Sequence, residues 1–226
     1  MILCPDYKLA FIHIYKTGGS SLTRTLSGFT QDGLRGPETP TFQGDGWQAT
    51  WHFNGMQHAK FSEIENKVSA IVDRDWSYIV VCRDPYDWFA SVFYEFYYID
   101  RSWLKGSNFL FGRYSKNRSF EDFIDFYNDF KAGYPHFWGF STQFSFVRGI
   151  PLDQLKVIKF ENYEVNARSV LEQLGIPVPG MYHELQKGTE KRDFTTFIKQ
   201  HPKFIEFVAE IFEEDFAFFD YTTENF

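Results

Sequence analysis

Lys16-Thr17-Gly18-Gly19-Ser20-Ser21 brings one cation, two adjacent glycines and three hydroxyls into a single short stretch, a set of groups suited to holding a phosphate-like anion. Paired glycines let the backbone approach a ligand closely. At a helix start the free N–H groups point at that ligand, and the helix dipole favours negative charge. Lys16 adds a full positive charge, and Ser20 and Ser21 add hydroxyl donors. The spacing does not fit a Walker A loop, G-x-x-x-x-G-K-S/T, because the lysine precedes the glycines and no glycine stands close before it. This speaks against an ordinary kinase or ATPase loop. Taken alone, the stretch also reads as a plain strand-to-helix turn with a solvated lysine.

These residues need a strand before them and a helix after them, and the neighbouring sequence supplies both. The apolar run Leu9 to Tyr15 reads as a buried strand, and Leu22 to Leu26 continues into a short helix ending near Ser27-Gly28. Gly28 to Gly55 is rich in Gly, Pro, Thr, Asp and Gln and reads as a long loop, a class of segment that is often functional. A helix follows, with capping-box spacing from Ser62 to Glu65 and an apolar stripe of Phe61, Ile64 and Val68; His58 lies just before it.

Tyr78 to Cys82 reads as a second buried strand, ending at Arg83-Asp84, and Pro85 suits the first turn of a helix expected to reach about Asp100. Arg101 to Asn117 reads as loop. Further helices are expected from Ser119 and over Phe137 to Val147. Leu155 to Phe160 reads as a third strand, followed by a helix through Val170, Leu171 and Leu174 that Gly175 and Pro177 stop. A polar loop from Met181 to Asp193 precedes a last helix opened by Pro202, with Ile205 and Val208 inward. Strands alternating with helices predict an α/β fold of three layers, a mainly parallel central sheet with helices on both faces. Ligands in such sheets bind at the carboxyl ends of the strands, where Lys16 and Arg83 both fall.

The chain's 226 residues fit a single domain, 1–226, with a sizeable core. Aromatics make up 21% of it, with 28 Phe and 13 Tyr, so rings should build much of that core and of any cleft. A net charge of −7 argues against a general nucleic-acid binder, because affinity for a phosphate backbone rests on a basic surface. Cys4 and Cys82 cannot form a disulfide framework and have no zinc-like neighbours. The stretch Met1 to Lys8 contains Pro5 and Asp6 and no long apolar run, so neither a signal peptide nor a membrane anchor is expected, and the compartment predicted is the cytoplasm. The sequon Asn117-Arg118-Ser119 is then incidental.

Two segments carry a family resemblance. Phe11-Ile12-His13-Ile14-Tyr15-Lys16-Thr17-Gly18-Gly19-Ser20-Ser21-Leu22 resembles the 5′-phosphosulfate loop of sulfotransferases, especially the carbohydrate-type group that includes heparan sulfate 2-O-sulfotransferase and bacterial relatives. Val81-Cys82-Arg83-Asp84-Pro85-Tyr86-Asp87 with Ser91 resembles that family's 3′-phosphate motif. Phe160-Glu161-Asn162 before a helix, with the alternation of elements, extends a weaker likeness over most of the chain.

The resemblance implies a P-loop-like sulfotransferase fold and a site for 3′-phosphoadenosine-5′-phosphosulfate, the sulfuryl donor. That donor needs two anion sites. Lys16 to Ser21 would supply one, and Arg83 with Ser91 the other. Sulfuryl transfer to a hydroxyl demands alignment of attacking and leaving oxygens, stabilisation of the leaving group and a base. Lys16 is expected to act on the leaving group, with protein cations sufficing and no metal.

His58, in Gln57-His58-Ala59-Lys60, resembles the family's base; His52 is the runner-up, Glu63 a distant third, and His13 is expected to be structural. Lys187-Gly188, with Lys191 and Arg192, resembles a late basic loop that closes over the 3′-phosphate. Two departures stand out: Tyr15 replaces the usual Pro, and Trp88 replaces a common second Arg. The acceptor is read as a hydroxyl-bearing glycan or small molecule, with no nucleic-acid or membrane partner. The alternatives are a non-catalytic nucleotide- or glycan-binding module and, with less support, a nucleotide-dependent kinase.

Overall fold

The computed structural model describes residues 1–31, 52–53, 57–94, 120–133, 138–177 and 195–224. The chain divides into two compact units, Met1–Asp84 with Gln143–Arg192, and Pro85–Thr142 with Asp193–Phe226.

The first unit is built on a four-stranded sheet in the order β1 (Ile2–Cys4), β2 (Leu9–Ile12), β3 (Ser77–Cys82) and β4 (Leu155–Lys159). β2, β3 and β4 run parallel, with Leu9 opposite Ser77 and Tyr78 opposite Leu155. β1 pairs antiparallel with β2 through the turn Pro5–Tyr7, which Lys8 closes in a left-handed conformation at φ 48°. The predicted strands are therefore present, and an N-terminal strand joins them. Three residues show no usable periodicity, so β1 exists because β2 offers it a ladder of hydrogen bonds.

β2 and β3 are buried almost throughout, as expected of parallel strands covered on both faces. On one face Phe11, Ile79, Val81 and Ile158 pack with Leu22 and Leu26 of the helix Gly19–Leu26 and with Ala167 and Leu171 of the helix Tyr163–Gln173. The other face carries Tyr78, whose ring meets Phe61 of the helix Phe61–Val68 edge-on at 5.3 Å. Helices thus cover both faces, giving three layers. The helix Phe61–Val68 starts two residues earlier than the capping-box spacing suggested: Glu63, not Glu65, reaches back to accept the Lys60 N–H at 3.0 Å. β4 leaves Val157 exposed beside Lys156 and Lys159.

Rings dominate the second unit. Among the described residues its helices are Pro85–Phe93, Phe120–Gly133, Thr195–Gln200, Pro202–Ile211 and Glu213–Phe218. Phe89 touches Phe123, Tyr127, Phe204, Phe207 and Phe212 at centroid separations of 5.1 to 5.8 Å. Pro85 and Pro202 both open helices as predicted; the helix from Pro202 ends at Ile211, and a further helix that the sequence did not announce, Glu213–Phe218, follows it. Among the described residues no helix is long and apolar enough to cross a membrane.

Candidate active site

The three parallel strands bring their carboxyl ends to one edge of the first unit's sheet. β2 leads into the loop His13 to Gly18, β3 into Arg83-Asp84, and β4 into the turn Phe160–Asn162. Lys16 lies in the left-handed region at φ 61°, and Gly18 at φ 85°. A lysine rarely adopts that conformation, and left-handed residues ahead of a helix are the material of anion-binding backbone concavities. Thr17 is buried, and its hydroxyl donates to the Ile14 carbonyl at 2.9 Å, so the side chain braces the loop from within. Ser20 is half-buried and Ser21 buried in the first turn of the helix. That turn has no acidic side chain to offset the positive end of the dipole.

Each glycine has its own reason to be one. A Cβ on Gly18 would come within 2.6 Å of the Phe160 ring, besides the cost of positive φ. A Cβ on Gly19 would come within 2.3 Å of His13 Cδ2. The loop is therefore shaped by rings pressed against its bare backbone.

Arg83 is held from several sides. Gln143, fully buried, accepts the Arg83 N–H at 2.9 Å through Oε1 and donates to its carbonyl at 2.8 Å through Nε2. Glu161 accepts the next N–H, that of Asp84, at 2.7 Å. The guanidinium carbon lies 4.6 Å from the centre of the Phe160 ring, and Nη1 approaches the Lys16 carbonyl at 3.5 Å. Of these partners Lys16, Phe160 and Glu161 stood in segments that the sequence singled out. Gln143 carries no sequence signal, since any residue reaching across the fold could supply an amide.

Histidines cluster behind the loop. His58 Nδ1 is 2.9 Å from the His13 carbonyl, which only accepts, so Nδ1 carries the proton and Nε2 is the basic nitrogen. Burial holds the His58 imidazole down to about 4. His13 is itself buried, and burial first, then the neighbouring His58 and His52, keep it well below the usual imidazole range. Its Nδ1 faces His52 Nε2, the Thr23 hydroxyl and the Gln57 amide at 3.3 to 3.4 Å. His13 is thus structural as expected, and central: it abuts Gly19 and anchors His58. His52 is fully buried, whereas His58 is only half-buried. Among the described residues no His, Cys, Asp and Glu cluster forms a metal-ligand set.

Tyr15, the first departure from the family pattern, sets its ring edge-on to His58 at 5.3 Å, with Lys16 Nζ 6.0 Å from its centre. Trp88, the second, is fully buried in the second unit against Phe212 at 5.2 Å. A core position explains why it carries no charge. Ser91 is buried on the helix Pro85–Phe93 of that unit. Glu63 is occupied as a helix cap. Lys187, Gly188, Lys191 and Arg192 lie outside the described residues, as do most of the loop segments 28–58 and 101–117.

Among curated proteins none matches the chain. The crystal structure of a sulfotransferase from Alicyclobacillus acidocaldarius is similar, with a TM-score of 0.42 and 15% sequence identity over 95% of this chain and 96% of that one. The family described as Sulfotransferase family matches residues 1–222, a span that includes the Lys16 loop, His58 and Arg83. The chain belongs to the sulfotransferase family.

Proposed function

We propose that the protein transfers a sulfuryl group from 3′-phosphoadenosine-5′-phosphosulfate to an acceptor hydroxyl on a glycan or small molecule. One observation carries this reading. The Lys16 loop and Arg83 stand at the ends of neighbouring parallel strands, 3.5 Å apart at Nη1 and the Lys16 carbonyl, as the two anion sites of one bisphosphate ligand must be close. The family match across both units supports treating 1–226 as one domain.

In this reading Thr17, Gly18, Gly19, Ser20 and Ser21 hold the phosphosulfate and Arg83 the 3′-phosphate. His58 Nε2 takes the acceptor proton as the acceptor oxygen attacks sulfur and the sulfur–oxygen bond to the leaving phosphate breaks. Lys16 stabilises the charge growing on that oxygen, an interaction stronger in the transition state than before it. Burial keeps His58 neutral at pH 7, the state a base needs, and a bound polyanion shifts the balance back toward the imidazolium that the reaction creates.

Calorimetry with 3′-phosphoadenosine 5′-phosphate tests the reading. Binding much tighter than that of adenosine monophosphate, together with transfer of labelled sulfate from the donor to an acceptor panel, is the expected result. Equal binding of the two nucleotides overturns it. Tight binding with no transfer to any acceptor turns the assignment to a binding module.

A further inference from the structure

We infer that Phe160 is a positioning residue that sets the Lys16 loop and Arg83 in register for a single donor. The inference rests on the donor assignment proposed above. Two independent contacts meet on its ring. One edge fills the space that a side chain on Gly18 would need, within 2.6 Å of the missing Cβ, so the ring bounds the loop where it turns at φ 85°. The Arg83 guanidinium lies over the same ring, its carbon 4.6 Å from the centroid.

The ring attracts the cation through its π face and carries no oxygen or nitrogen acceptor that would compete with a phosphate for the guanidinium N–H groups, so it steadies the cation without taking over the phosphate's role. The ring's own position is fixed by its neighbour: Glu161 accepts the Asp84 N–H at 2.7 Å and ties the turn Phe160–Asn162 to the end of β3. One rigid aromatic therefore spaces the groups assigned to the two ends of the donor. A leucine or methionine fills similar volume but offers no π face and no flat wall; a tyrosine keeps both.

The test is calorimetry on the full chain with 3′-phosphoadenosine 5′-phosphate, using Phe160→Leu, Phe160→Tyr, Arg83→Ala and the Phe160→Leu/Arg83→Ala double variant, with thermal unfolding to confirm folding. Phe160→Leu is expected to weaken binding roughly tenfold. Phe160→Tyr should bind like the wild type. In the double variant the leucine substitution should cost clearly less than it does in the wild type, because the part of its effect that passes through Arg83 is already lost and only the part that passes through the Gly18 turn remains. Should Phe160→Leu not fold, Phe160→Met is measured in its place. Wild-type affinity in Phe160→Leu, or additive losses in the double variant, overturns the role of Phe160 and leaves the donor assignment standing. If the wild type itself does not bind the bisphosphate, the donor assignment falls and this inference with it.

Discussion

The two units solve the problem of holding side chains still by different means. In the second, position comes from rings: among the described residues Phe89 alone meets six other aromatics, and few polar side chains are buried there. In the first, position comes from directed contacts. Among the described residues, every buried polar or charged side chain except Ser91 and Asp215 belongs to that unit, including His13, Thr17, His52 and Gln143. Aromatic packing tolerates small shifts at modest cost, whereas a hydrogen bond or a glycine against a ring specifies one geometry. A unit that must hold a lysine, an arginine and an imidazole in fixed relation needs the second kind of contact.

Substitutions should separate the two kinds. The largest effects fall on turnover: Lys16→Ala and His58→Ala should each lower the rate of labelled-sulfate transfer by about 10²–10⁴-fold. Their thermal unfolding midpoints should stay close to that of the wild type. If His58→Ala transfers at the wild-type rate, His58 is not the base. Next, Phe89→Ala should cost about 3–5 kcal/mol in denaturant unfolding, because it removes a fully buried ring from the centre of the aromatic core. A small loss there would break the contrast between the units.

Acid should act on the first unit through its histidines. His58 is held at about 4 and His13 well below the ordinary value of 6.5, so between pH 6.5 and 4 the unfolded chain binds protons that the folded one refuses. Stability is then full above about pH 6.5 and falls as the pH drops toward 4, with His58 contributing about 3 kcal/mol across that window. Unfolding free energies measured from pH 7 to 4 check this: His58→Asn, which keeps a donor for the His13 carbonyl, should flatten the slope. Smallest in energy, Gly18→Ala should cost about 1–3 kcal/mol through positive φ and the Phe160 contact. Gly28→Ala is the control, since a Cβ there meets nothing within 4 Å. Equal unfolding midpoints for the two variants would show that Phe160 yields freely.

Much of this was legible beforehand, for reasons tied to particular residues. The runs Leu9 to Tyr15, Tyr78 to Cys82 and Leu155 to Phe160 announce strands because each is short, rich in apolar residues and bounded by turn or charged residues. Pro85 and Pro202 announce helix starts because proline fits only there. The loop from Lys16 is visible because glycine, lysine and serine in that order are costly to place without a use. β1 was missed because three residues carry no period, and Glu213–Phe218 because six residues opening on Glu213, Glu214 and Asp215 show no apolar stripe.

By itself, then, the sequence determined the alternation of strands and helices, the family, and the short list of residues that could meet an anion, since each depends on local pattern and side-chain type. Only the tertiary structure decided how those residues are held. That His13 anchors His58, that Gln143 clamps Arg83, and that Phe160 stands between Gly18 and Arg83 are contacts between residues far apart in the chain. Such contacts are set by which strand ends the sheet brings together, and no local pattern encodes them.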